Sequence, residues 1–415
     1  MVYRKIVQAW KYPSILLFGI GISNFGAWVY LIALNLIVFD MTHSPLAVAG
    51  LYIVKPLAAL FTNVWAGSVI DRMNKRKLMV VLDLIRALFI AILPFTTSIW
   101  LIYCIVFIIN MAGSMFETTS MTYITKLIPT EQRKRFNSLR SLIDSGAFLI
   151  GPAIAGLLFL IGTPISAIYI NAVALFLSAI VTLFMPDIER YTTIEHANRD
   201  LSWALIKKDW IIVLRFSRQY VYIMLIYFLF SCVMVMATAI DSQEASFAKT
   251  VLLLTDSDYG FLVSVAGSGI IIGAIVNTLF VERLKVSLLI GVGALFVAVG
   301  YIIYAFSSTF FFAALGFFVL AFSLAFVNTG FHTFYQNNIP VEVMGRIGSI
   351  YGFFEALLII IVTAIIGITA QFISIQLVII TGTLIMLVIA TLLFICSVKP
   401  SKSNYYSNVS VELNE

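Results

Sequence analysis

The sequence predicts an all-α integral membrane protein, with twelve transmembrane helices in two pseudo-symmetric bundles of six. Three observations predict it. The 415 residues are 61% hydrophobic and 11% charged, against about 45–50% and about 25% in soluble domains. The apolar residues fall in nearly uncharged runs of about 20 or more, the length that crosses a hydrocarbon core. The chain also repeats itself at an offset of 211 residues. Asp71-Arg72 returns as Glu282-Arg283, and Pro129, Glu131, Arg135, Ser138, Asp144 and Gly156 meet Pro340, Glu342, Arg346, Ser349, Glu355 and Gly367 without a gap. A repeat held in register this way marks a duplicated unit.

Taken in order, the first half has spans near 14–39, 46–70, 78–98, 99–125, 137–161 and 164–186. The first run continues to about Phe39 without a small-residue cleavage site, so a retained span is expected. The second half has spans near 219–241, 258–281, 286–306, 308–335, 347–370 and 373–397. The connections alternate in charge. Basic ones are the N-terminus, Asp71–Lys77, Lys126–Arg140, Arg190–Arg218, Glu282–Lys285, Glu342–Arg346 and the tail. The connections at 40–45, 95–98, 162–165, 307–309 and 371–374 carry neither Lys nor Arg, and 241–257 carries only Lys249. Basic loops stay in the cytoplasm, so both termini are expected inside. The net charge of +6 is then a topology signal and not a nucleic-acid surface.

The expected domains are 1–186, a cytoplasmic linker at 187–218, 219–400 and a disordered tail at 401–415. Within the linker, Leu201, Trp203, Ala204 and Leu205 precede Lys207 and Lys208, as in an amphipathic helix lying at the interface, or in a plain tether. Cys104, Cys232 and Cys396 all lie in apolar runs, which suggests neither a disulfide framework nor a metal cluster.

Two halves of like orientation imply parallel repeats around a central cavity, exposed to each side in turn as one half rocks on the other. No GxxxxGK[ST] phosphate loop occurs, so the expectation is secondary transport. Gly67-x-x-x-Asp71-Arg72-x-x-Lys75-Arg76 resembles the loop signature of the major facilitator superfamily between its second and third spans. Ala147-x-x-x-Gly151-Pro152-x-x-Ala155-Gly156 is similar to the fifth-span signature of that family's exporters, with alanine at two of the family's glycines. The wider chain, notably Asp71–Arg86 and Gly345-Arg346, resembles the macrolide-efflux and siderophore-export branch, which implies a plasma-membrane protein, bacterial in origin, working as a drug/proton antiporter. Asn110 stands where this family often carries an arginine tied to proton coupling.

Gating roles are expected at both signatures. Gly67 permits close helix approach, and Asp71 would meet the start of span eleven near Arg346 as a cytoplasmic latch. Arg72, Lys75, Arg76 and Lys77 serve the same latch or act as positive-inside anchors. Gly151, Pro152 and Gly156 would let span five bend and pack closely.

Ionisable groups at membrane depth each need a partner or a purpose. Asp83 and Arg86, three residues apart, are expected to pair as gate structure. Glu117 shares a helical stripe with Asn110, Ser114 and Met121, and its repeat partner is Asn328, with His332 one turn on. A carboxyl shielded from water holds a proton more tightly, so Glu117 is the expected coupling site; the alternative is a charged Glu117 paired with Lys55 or Arg86. Asn24, Trp28 and Asn35 on span one, and Tyr227, Ser231 and Thr238 on span seven, are expected to line the upper cavity or to pack helices together.

No cofactor is expected beyond the proton gradient. The expected partners are a small amphiphilic substrate, protons and membrane lipid, with the protein a monomer. Uptake, and a non-transporting sensor or lipid scrambler on the same scaffold, are the alternatives. An intramembrane enzyme lacks its nucleophile–base pair or HExxH, and His43, His196 and His332 are dispersed.

Overall fold

A computed structural model describes residues 2–63, 66, 70, 73–128, 130–188, 203–280 and 284–406. The described residues form helices α1 (Val2–Thr42), α2 (Pro45–Asn63), α3 (Lys75–Ile92), α4 (Ile99–Leu127), α5 (Thr130–Ile161), α6 (Pro164–Leu183), α7 (Trp203–Gln219), α8 (Val221–Asp241), α9 (Glu244–Thr250), α10 (Asp256–Phe280), α11 (Val286–Ala305), α12 (Phe310–Asn338), α13 (Val341–Phe372) and α14 (Ile375–Ser397). No strand occurs among them. Twelve of these helices are long and apolar enough to cross a membrane. Helices are the economical answer in hydrocarbon, because each satisfies its own backbone polar groups.

The chain divides into two compact units, Met1–His196 with Thr255–Ser264, and Ala197–Leu254 with Val265–Glu415. In the first unit α6 packs on α1 and α3, α5 on α1, and α4 on α2 and α3. In the second, α14 packs on α8 and α11, α13 on α8, and α12 on α11. Numbered by span, one–six, three–six, one–five and three–four return as seven–twelve, nine–twelve, seven–eleven and nine–ten. The duplication seen in the sequence is thus a duplication of packing.

One end of the first unit is knitted by a cluster of Leu16, Leu17, Met79, Tyr123, Ile128, Phe136 and Met185. Around it, Tyr123 donates to the Pro186 carbonyl at 2.7 Å. Asn74 caps α3 by accepting from the Lys77 amide, and its amide donates to Asp187 Oδ1 at 2.6 Å. Such a cap satisfies an amide that the helix start leaves open.

Two connections are more ordered than the sequence suggests. The segment after span seven contains α9, whose Phe247 is buried against Tyr304, ring centroids 4.8 Å apart. The tail expected to be disordered from Ser401 instead makes a 3-10 helix over Pro400–Tyr406. Its tyrosines supply the reason. Tyr406 shares a 2.7 Å hydrogen bond with Tyr222, and Asn338 donates to the Tyr405 carbonyl at 2.8 Å. Burial pushes the Tyr406 phenol pKa upward.

Candidate functional site

Helix α4 carries Glu117, Thr118 and Met121, all exposed, along one side. Among the described residues Glu117 makes no ion pair, neither with Lys55 nor with Arg86. Lys55 is likewise exposed on α2 and makes no ion pair among the described residues. Asn110, one end of the same stripe, spends its amide on the Val106 carbonyl at 2.8 Å.

Glu117 does have a neighbour that sequence reasoning did not single out. Its charge acts on Asp144 of α5, more weakly than burial, Arg140 and Asn24 do. Asp144 accepts a short hydrogen bond from the Asn24 amide of α1 and lies 3.9 Å from Arg140, one turn before it. One turn further along α5, Phe148 packs on Trp28, ring centroids 4.5 Å apart. Gly151 completes this seam, since a Cβ there would lie 2.6 Å from the Trp28 Cβ. The site in the first unit is therefore two carboxylates, one guanidinium and one amide beneath an aromatic pair. Glu117, Asn24 and Trp28 were expected from helical spacing, whereas the sequence signal for Asp144 was the repeat, in which it coincides with Glu355.

The second unit holds the counterpart. Ser231 of α8 donates to Glu355 Oε2 of α13 at 2.8 Å. Beside it Tyr227 is ringed by Phe331, Tyr335 and Tyr351, with centroid distances of 5.4, 5.8 and 5.1 Å. Asn328 is half-buried and His332 exposed on α12.

Other expected site residues are placed elsewhere. Asn35 is 1% exposed and donates to the Tyr52 hydroxyl at 3.2 Å, so it joins α1 to α2, the helix-packing alternative. Thr238 returns its hydroxyl to the Met234 carbonyl. Asp83 and Arg86 do pair, at 3.1 Å, but the second Asp83 oxygen accepts from Ser178 of α6 at 2.8 Å, and Arg86 stacks over Phe116. That pair fastens α3, α4 and α6 together. Arg76 donates to the Met185 carbonyl at 2.9 Å and meets Asp187 at 3.5 Å, while Lys75, 4% exposed, donates to the Met73 carbonyl. Both basic groups are engaged inside their own unit. Gly67, Asp71 and Arg72 lie outside the described residues, and Arg346 is exposed near the start of α13. Pro152 is carried within the continuous helix α5, and a Cβ on Gly156 would fall 2.9 Å from the Ser257 carbonyl.

The profile of the Major Facilitator Superfamily matches residues 16–363. An uncharacterized MFS-type transporter, YfiS of Bacillus subtilis, is 28% identical over 166 residues, 40% of this chain and 40% of that one. The multidrug resistance protein MdtH of Salmonella typhimurium is 30% identical over 89 residues, 21% of this chain and 22% of its own. These matches span less than half of either relative. Among solved structures, the nucleoside transporter NupG superposes with a TM-score of 0.73 at 13% identity, over 94% of this chain and 99% of that one. A D-xylose-proton symporter gives 0.67 at 13% identity, over 94% and 98%. At such identities the likeness is one of fold. With the family profile matched over most of its length and the twelve-helix fold shared, the chain belongs to the major facilitator superfamily of membrane transporters.

Proposed function

We propose that this transporter exports amphiphilic small molecules, drug- or siderophore-like, by alternating access in exchange for protons. The observation that carries the reading is the cluster of Glu117, Asp144, Asn24 and Arg140. The two carboxylates stand on neighbouring helices, and a proton bound at one of them relieves the repulsion between their charges. One guanidinium balances one carboxylate and leaves Glu117 to take and give up the proton. The aromatic wall of Trp28 and Phe148 suits an apolar substrate body directly beside that charge. Export is favoured by the fifth-span signature and by the partial likeness to a multidrug resistance protein.

A screen of dyes, macrolides and siderophores, comparing a deletion with an overexpressing strain, identifies the substrate. In proteoliposomes, Glu117→Gln should then abolish transport driven by a pH gradient while leaving counter-flow of labelled substrate. Transport at the parent rate in that variant removes the coupling role. Absence of counter-flow in the parent protein supports the sensor or lipid-scrambler alternative, and gradient-driven accumulation in the uptake direction supports a permease.

A further inference from the structure

The two copies of the carboxylate clasp have diverged, and the divergence points to a ligand. In the first unit Asp144 has its own cation four residues before it, Arg140, at 3.9 Å. In the repeat the same two positions are Glu355 and Tyr351. The carboxylate is kept and the guanidinium is replaced by an aromatic ring. Among the described residues no Lys, Arg or His pairs with Glu355, whose one hydrogen bond is the 2.8 Å contact from Ser231. A half-buried carboxylate supported by one neutral hydroxyl has lost much of its hydration without gaining a countercharge.

That carboxylate opens into a cavity of about 410 Å3 within the second unit, bounded by α7, α8 and α13. The volume falls in the range of about 300–1,000 Å3 that holds drug-sized molecules. Its walls are apolar and aromatic. Trp210 of α7 meets Phe354 edge-on with centroids 5.8 Å apart, and Phe228 stands on α8. The polar groups are few and gathered together. Ser217 Oγ lies 3.0 Å from the Tyr351 hydroxyl, and Ser231 adjoins Glu355. Aromatic faces attract a cation, and a carboxylate without a partner orients it.

We propose that this cavity is a binding site for an amphiphilic organic cation, held with its charge against Glu355 and its apolar body against Trp210, Phe228 and Phe354. The linker helix α7 is then a wall of a binding site as well as a tether. Under the export reading the cavity is one station for a cationic substrate, but equilibrium binding needs no gradient, so a failure of binding and a failure of transport are separate results.

The probe is tetraphenylphosphonium, with tetraphenylborate as a control of the same shape and opposite charge. Titration calorimetry on the purified full-length protein should show saturable binding of the cation and none of the anion. Part of the accompanying tryptophan quenching should vanish in Trp210→Phe. Glu355→Gln should weaken cation binding at least tenfold, while Glu355→Asp retains most of it. Tyr351→Arg is the decisive variant, because it restores to the second unit the cation that the first keeps beside its carboxylate. It should displace the ligand and weaken binding at least tenfold, and it decides the matter alone if Glu355→Gln does not fold. Binding within twofold of the parent in Tyr351→Arg, or equal binding of tetraphenylborate, overturns the proposal. Loss of binding in Glu117→Gln with retention in Glu355→Gln assigns the cation to the first unit and overturns it as well.

Discussion

Asp83 is 0% exposed, and its two oxygens are divided between Arg86 on its own helix and Ser178 on α6. A buried ion pair contributes little net stability, yet removing one partner strands the other. Arg86→Met should therefore lower folding stability by about 3–5 kcal/mol, and Asp83→Asn with Arg86→Met should recover much of that loss. Thermal unfolding of both variants in detergent checks it; equal losses in the single and double variants refute it. The i,i+3 half of this arrangement was legible in the sequence because helical spacing alone brings the pair together. Ser178 was not, because a contact across 95 residues depends on which helices pack. Which of the two readings of Asn35 applies was hidden for the same reason. Its helical face was readable from spacing, but the neighbour that covers it, Tyr52 on α2, was not. Asp144 stood in view as a repeat match inside span five, but its partner Asn24, on another helix, depends on how the helices pack.

Helix α5 shows how one element carries several constraints along its length. At Gly156 an added Cβ would lie 2.9 Å from the Ser257 carbonyl, and at Gly260 it would lie 2.7 Å from the Gly156 backbone. These two glycines let backbones approach where a side chain would hold them apart. Ten residues earlier on the same helix, Gly146 has nothing within 4 Å of a would-be Cβ. Gly156→Val should overpack the contact and cost about 1–3 kcal/mol. Gly146→Ala should be neutral or stabilise by about 0.5–1 kcal/mol, since glycine is the poorer residue inside a helix. Gly156→Val should melt below the parent and Gly146→Ala at or above it, and a loss in both would refute the assignment. At the other end of the chain, Tyr406→Phe keeps the ring against Phe334 but removes the hydroxyl shared with Tyr222. A loss of about 0.5–1.5 kcal/mol is expected. The sequence read this tail as polar and unstructured. Its composition is polar, and its order comes from two aromatic residues finding partners on α8 and α12.

At the scale of the whole molecule, the twelve spans were the most legible part, because hydropathy depends on length and composition and hardly on packing. We propose an orientation for those spans, both termini cytoplasmic, from the same kind of reading. Connections at 40–45, 162–165, 307–309 and 371–374 lack Lys and Arg, whereas those between them carry the basic residues. Each basic residue that stays on the cytoplasmic side resists translocation, and the biases of successive loops add rather than cancel when they alternate strictly. His43, in the connection between α1 and α2 with φ of 46°, belongs to the set without Lys or Arg, and Lys402, in the 3-10 segment after α14, to the basic set. The background thiols Cys104, Cys232 and Cys396 are free, and the labelling is done with all three changed to serine. In that background His43→Cys should react with a membrane-impermeant maleimide in intact cells. Lys402→Cys should react only after permeabilisation. A reversed pattern would place both termini outside, which would put the basic connections on the wrong face of the membrane and invert the direction assigned to every proton and substrate movement above.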